Sequence, residues 1–176
     1  MVKAVHIRPI RESELDLVDA LSQSADEAGP YGFFGFRAPG RMRRAYAENG
    51  LLGEDQGRLA VTLGEPTEPG EFLGEVSWHR VTTGPVSSTW NIGIGLLASA
   101  RGHGYGTDAQ RLLAEYLFAH TQANRVEAST EVDNTAERRA LEKAGFTFEG
   151  VLRGACFRAG RWRDMASYSM VRADLG

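Results

Sequence analysis

The stretch ASARGHGYGTDAQ, residues 98–110, alternates three glycines with an arginine, a histidine and a tyrosine, then runs straight into an amphipathic pattern. An apolar, β-rich segment precedes it, so it reads as a strand-to-helix junction. Such a junction points several unpaired backbone N–H groups at one place, and the helix dipole adds partial positive charge there. Side chains would hold a ligand away from those donors. Glycines at 102, 104 and 106 remove them, and a phosphate group is the ligand such a bare cradle suits. A P-loop is excluded because G-x-x-x-x-G-K-[ST] is absent, and the spacing is not the G-x-G-x-x-G of dinucleotide binders. From spacing alone, a phosphate cradle and a plain tight turn both stay open.

The elements that must position this loop follow from periodicity. Residues 2–10 alternate and read as a first strand. Ser13 can cap a helix over 14–28, with Leu17, Val18, Leu21, Ala25 and Ala28 on one stripe. A glycine- and aromatic-rich loop, 29–40, leads to a short helix near 41–48. RLAVTL, EFLGEVSWHRV and SSTWNIGIGLL read as three successive strands, with GEPTEPGE, 64–71, as the hairpin connection between the first two. Ala109, Leu112, Leu113, Tyr116, Leu117 and His120 mark the buried face of a helix over 105–120. RVEASTEV is a strand. Asn134 opens another helix, with Glu137 in capping-box position. Gly145 ends it, and Phe146 folds back on Leu141. FTFEGVLRGACF and RWRDMASYSMV close the chain as a hairpin turning at Ala159-Gly160. The order β-α-α-β-β-β-α-β-α-β-β is a mixed α/β class within a single domain, 1–176.

Composition bounds the rest. Of 176 residues, 42 % are hydrophobic and 24 % charged, which indicates a soluble globular chain. The formal charge of −3 gives no footprint for nucleic acid. No apolar run reaches the length of a membrane span and the N-terminus lacks a secretory pattern, so a cytoplasmic location is expected. The single cysteine, Cys156, allows no internal disulfide and reads as a small buried hydrophobe. No metal site is expected. Trp78, Trp90 and Trp162 read as core or sheet-packing residues, Trp162 also as a possible contact in a homodimer.

The pattern R-x-x-G-x-G, here Arg101, Gly104 and Gly106, preceded by IGIGLL and followed by an amphipathic helix, resembles motif A of the GNAT superfamily of acyl-CoA-dependent N-acetyltransferases. N-x-x-x-x-x-x-L-E-K-A-G-F, Asn134 to Phe146, resembles its motif B, and FTFEGVLR with a closing strand pair is similar to the RimJ/RimL-like branch. The resemblance implies the GNAT fold: a central mixed sheet of about seven strands, splayed in a V between the fourth and fifth, flanked by four helices. It implies acetyl-CoA as co-substrate. The N–H groups of Gly102, His103, Gly104, Tyr105, Gly106 and Thr107, with Arg101 beside them, would hold the CoA pyrophosphate. The strand would splay after Gly95, and pantetheine would pair with the free edge near Leu96 and Leu97. Asn134 would bond the pantetheine arm as well as cap its helix.

The reaction so implied is attack of a neutral amine on the thioester. It needs a deprotonated amine, a donor to the developing oxyanion and a proton for the departing thiolate. Relatives carry a tyrosine where this chain has Leu141, a serine where it has Glu137, or a glutamate where it has Cys156. None of these acid–base residues carries over. Position alone offers His79, on a strand beside the cleft and sharing a face with Glu75 and Ser77, and Glu131, at the end of the strand before Asn134. With no inherited base, a low-pKa acceptor is expected. Deprotonating a lysine-type amine of pKa ~10.4 at pH 7 costs roughly 4–5 kcal/mol, against about 1.4 for an α-amine of pKa ~8. That points to a protein or peptide N-terminus, or a small antibiotic-like amine. Tyr31, Phe33, Phe34 and Phe36 in the glycine-rich loop are expected to roof the acceptor. A non-catalytic acyl-CoA sensor of the same fold is the alternative.

Overall fold

The computed structural model describes residues 4–65 and 70–175. Among the described residues seven strands form one sheet in the order β1-β2-β3-β4-β5-β7-β6. They are β1 (Ala4–Pro9), β2 (Gln56–Gly64), β3 (Glu71–Gly84), β4 (Ser87–Leu96), β5 (Arg125–Glu131), β6 (Thr147–Arg158) and β7 (Arg161–Val171). Every pairing is antiparallel except β4 with β5. That parallel pairing covers only Trp90↔Val126, Asn91↔Glu127 and Ile92↔Ala128. Beyond Ile92 the two strands part, which is the expected V. Residues 66–69 of the β2–β3 connection lie outside the described residues.

Among the described residues five helices flank the sheet rather than four: α1 (Leu15–Gln23), α2 (Ala25–Gly32), α3 (Arg41–Asn49), α4 (Tyr105–His120) and α5 (Thr135–Ala144). The single helix expected over 14–28 is broken at Ser24. Its backbone is extended, and its hydroxyl accepts from the Glu27 N–H at 3.3 Å, capping a second helix. Ser13 does not cap α1. It lies in a 3-10 turn over Glu12–Glu14, where the Glu14 carboxylate accepts from the Arg11 N–H at 2.9 Å and pairs with Arg8. The buried stripe of α1 is Leu15, Val18 and Leu21; Leu17 faces solvent.

The α4–α5 side of the sheet carries the larger core. Ala109, Leu113 and Leu117 of α4 and Leu141 of α5 pack on Val76, Trp78, Ile92, Val126 and Tyr168. On the other side, Leu15, Val18 and Met42 cover Ala60 near the β1–β2 end. Gly145 ends α5, and the Phe146 N–H donates to the Leu141 carbonyl at 3.0 Å, as a Schellman ending requires. Trp78 and Trp90 are buried. Trp162 is not core: it is 68 % exposed at the β6–β7 turn, edge-on to Phe157.

Gly57 faces Trp78 across β2–β3. A Cβ at Gly57 would stand 2.2 Å from the Trp78 ring. Gly57→Ala is therefore expected to lower stability by about 1–3 kcal/mol through overpacking, read as a lower urea midpoint. An unchanged midpoint would show that the ring moves freely.

Candidate active site

After β4 the chain makes a 3-10 turn over Ala98–Ala100 and reaches Gly102 and Gly104, at φ +80 and +84. That left-handed backbone suits glycine. A Cβ at either position would meet nothing within 4 Å, so the surface there is open. The first backbone bond of α4 is donated by Thr107, to the Gly104 carbonyl at 3.0 Å. Among the described residues the N–H groups of Gly102, His103, Gly104, Tyr105 and Gly106 show no backbone acceptor, and they lie in succession at the start of a 16-residue helix. At Gly106 α4 packs on the end of β4: a Cβ there would lie 3.6 Å from Ile94 and Leu96, an ordinary contact distance.

The edge of β4 follows from alternation. The Leu97 N–H donates to the Leu73 carbonyl at 2.9 Å, so Leu97 faces β3. Gly95, paired with Glu75, turns the same way. The N–H groups of Ile94 and Leu96 then turn toward the gap that β5 leaves. The structure thus brings Leu96 to the open edge and not Leu97. Arg101 folds back into the protein. Its Nε and Nη2 donate to the Leu96 carbonyl at 3.1 and 2.9 Å, and Nη2 also donates to the Glu27 carbonyl. The Glu27 carboxylate in turn accepts from the Ala98 N–H at 2.8 Å. Arg101 therefore ties α2 to the end of β4.

Across the gap, Asn134 Oδ1 accepts from the Glu137 N–H at 3.3 Å, and Nδ2 donates to Thr130 Oγ1 at 2.9 Å. The Glu137 side chain does not complete a capping box. It turns to the buried Gln110 of α4, which also donates to the Gly106 carbonyl at 3.1 Å. Burial, opposed only by that hydrogen bond, lifts the Glu137 carboxyl to about 7. Glu131 has the opposite environment. It is buried, held by the Arg158 guanidinium, with Arg163 3.9 Å away. Those hydrogen bonds keep its carboxyl below the ordinary range, so it is a fixed anion rather than a ready base. His79 is exposed and pairs with Asn91, at a level where β4 and β5 are still joined. It sits four residues, about 13 Å, down β3 from Glu75.

The aromatic loop lies where it can border the cleft. The Tyr31 hydroxyl donates to the Asp133 carbonyl at 3.0 Å, and Arg158 lies over its ring at 5.5 Å. Phe33 and Phe36 meet edge to face at 5.5 Å, while Phe34 and Phe36 are exposed. Phe36 lines a pocket of about 500 Å³ with Asp19, Gln23, Arg37, Pro39 and Gly40. Arg158 and the raised carboxyl of Glu137 were not singled out from sequence, because both depend on contacts between distant elements. No group of His, Cys, Asp and Glu among the described residues is arranged to hold a metal ion.

Residues 5–147 match the family of acetyltransferase (GNAT) domains, and the chain belongs to that family. YjcK of Bacillus subtilis (strain 168), named a probable N-acetyltransferase, is 32 % identical over 103 residues, 58 % of this chain and 56 % of that protein. YdaF of the same organism, provisionally named a ribosomal N-acetyltransferase, is 30 % identical over 132 residues, 75 % of this chain and 66 % of that one. The chain thus spans between about half and two thirds of these relatives. Among solved structures, RimJ of Mycobacterium smegmatis in complex with CoA-disulfide superposes with a TM-score of 0.77 at 25 % identity, over 97 % of this chain and 83 % of that one. A spermidine N-acetyltransferase of Vibrio cholerae, with CoA and spermine, shares the fold with a TM-score of 0.82 at 16 % identity, over 98 % of both chains.

The Glu137 environment has a consequence for stability. A carboxyl at about 7 in the fold, against ~4.3 unfolded, holds its proton more tightly when folded. Its contribution is complete below the unfolded value and is lost as pH rises to about 7. Glu137→Gln is expected to match the parent near pH 4.5 and to exceed its stability at pH 8, by urea unfolding at both pH values. An equal difference at both would contradict this environment.

Proposed function

We propose that this chain is an acetyl-CoA-dependent N-acetyltransferase that passes the acetyl group to a primary amine by direct attack on the thioester. The observation that carries this reading is the row of free N–H groups from Gly102 to Gly106 leading to the unpaired edge of β4. Family membership and the solved CoA complexes of the same fold support it.

In this reading the pyrophosphate lies on the N–H groups at the start of α4, where the helix dipole favours anions. Pantetheine runs along the open edge of β4, and the Leu96 N–H donates to the thioester oxygen as charge develops on it. Asn134 borders the arm from the far bank and caps α5 at the same time. Arg101 acts through position: it fixes the end of β4 and binds α2 beside the cleft. Glu137 stands where relatives carry a serine. Near neutrality its carboxyl is partly protonated, which suits a donor to the departing thiolate. Glu131 orients Arg158 beneath Tyr31 rather than moving protons.

The acceptor is a protein or peptide N-terminus or a small amine. Neighbours named for a ribosomal-protein-S5 alanine and for spermidine span both classes. The whole chain acts as one acetyltransferase domain in the cytoplasm; no helix among the described residues is long and apolar enough to cross a membrane. The exposed Trp162 and Phe157 are the natural contact if two copies associate.

Release of free thiol from acetyl-CoA, measured against a panel of peptide N-termini and small amines, tests the reading. The parent is expected to turn over at least one acceptor. Gly104→Val, checked for folding by circular dichroism, is expected to lose CoA binding by calorimetry and thiol release together, because its side chain takes the phosphate's space. CoA binding with no turnover of any amine would favour the sensor alternative. Undiminished CoA affinity in the folded variant would remove the cradle.

A further inference from the structure

His79 is remote and Glu131 is locked to arginine, yet the reaction must strip a proton from its amine. One carboxylate on the sheet is placed differently. Glu75 of β3 stands opposite Gly95, at the level where β4 is already free of β5. It is only 9 % exposed. Its Oε1 is held by Arg58 of β2, while its Oε2 is buried with no hydrogen-bond partner among the described residues. A buried carboxylate oxygen left without a donor is costly, and it is matched by a ligand that brings an N–H.

The strand beside that oxygen is bare. The residues on this face of β4 at this level are Gly93 and Gly95, so no β4 side chain stands between Glu75 and the gap; the cover over Gly95 is Leu21 of α1 and that over Gly93 is Ser77 of β3. The Glu75 Cγ lies 4.0 Å from where a Gly95 Cβ would stand, and Leu21 of α1 lies 3.6 Å from it. The charged groups facing Glu75 are Arg58 from β2 and Asp19 from α1; β4 contributes glycine. Asp19 also lines the 500 Å³ pocket under Phe36, together with Arg37, so one carboxylate faces both that pocket and Glu75.

We propose that Glu75 is a catalytic residue of the acetyl transfer: its Oε2 receives the acceptor's ammonium group and takes the proton that frees the amine for attack. The proposal rests on the acetyl-transfer reading above. The acceptor arrives with three protons on nitrogen. One passes to Glu75 and on to solvent. The nitrogen lone pair then forms the N–C bond to the thioester carbon, and the C–S bond breaks. The second proton leaves nitrogen and ends on the thiolate, giving a neutral amide and CoA thiol. Arg58 on the other oxygen fixes the carboxylate's orientation, as a base requires. Burial lifts the Glu75 carboxyl above its ordinary value, Arg58 opposes that lift and Asp19 adds to it, which moves the group toward the range useful for a base. With a base in place, the absence of the relatives' acid–base residues no longer restricts the chain to low-pKa amines.

Two variants test this with acetyl-CoA and an acceptor that the parent turns over. Glu75→Gln keeps the size of the side chain. It is expected to lose about 10²–10⁴-fold in kcat/KM at pH 7, to recover as pH rises toward the amine pKa, and to keep the parent's CoA affinity by calorimetry. Asp19→Asn removes a like charge and is expected to shift the acid limb of the parent's profile to lower pH. A folded Glu75→Gln within a few-fold of the parent at every pH overturns the proposal. So does a loss of equal size at every pH, which marks a structural role. If Glu75→Gln does not fold, an acid limb unmoved in Asp19→Asn overturns it instead. A parent that releases no thiol with any amine defeats the acetyl-transfer reading itself.

Discussion

The pairing between β4 and β5 stops after three residues, and most of the site depends on where it stops. A backbone N–H inside a protein needs a partner. Past Ile92, alternation turns Ile94 and Leu96 toward a gap that no strand fills. The gap persists because its two banks are held independently. Arg101 bonds the Leu96 and Glu27 carbonyls on one side, while Asn134, Thr130 and the cap of α5 fix the other. On the α4–α5 side, α4 settles against Ile94 and Leu96 at Gly106. The free edge therefore runs into the bare N-terminal turn of the same helix.

Three glutamates around this gap illustrate how environment sets chemistry. Glu131 is embraced by Arg158 and stays an anion. Glu137 is half-buried beside the Gln110 amide, and desolvation lifts its carboxyl to about 7. Glu75 has one oxygen on Arg58 and the other unpartnered, and its burial raises the carboxyl against the pull of Arg58. The residue type is the same in each. Burial and the presence of a guanidinium decide whether it favours the charged or the protonated form.

The sequence is informative where local chemistry decides. The glycine spacing at 102–106, the amphipathic period of α4 and the Asn134 and Gly145 caps all follow from short-range rules, and the succession of strands and helices along the chain follows from alternation and turns, whereas the place of β7 between β5 and β6 does not. The break at Ser24 was less legible, because the apolar stripe continues across it; a serine with an acid three residues on is itself an N-cap signal, and it competed with that stripe. Trp162 looked like core by residue type, but its hairpin lies at the edge of the sheet. The role of Arg101 required knowing that α2 returns to the end of β4, 74 positions away in sequence. Glu75 was legible only as a residue sharing a face with His79. Its unpartnered oxygen and the glycines beside it emerge from cross-strand register, which pattern alone does not set.

The central claim is that the turn at Gly102–Gly106 and the β4 edge form one continuous row of donors for acyl-CoA. Amide ¹⁵N–¹H shifts during titration with CoA test it most directly. The account predicts saturable shifts at Gly102, His103, Gly104, Tyr105, Gly106 and Leu96, with Leu97 and Gly95, whose N–H groups face β3, responding much less. Shifts confined to the β6–β7 hairpin, or equal along both sides of β4, would contradict it.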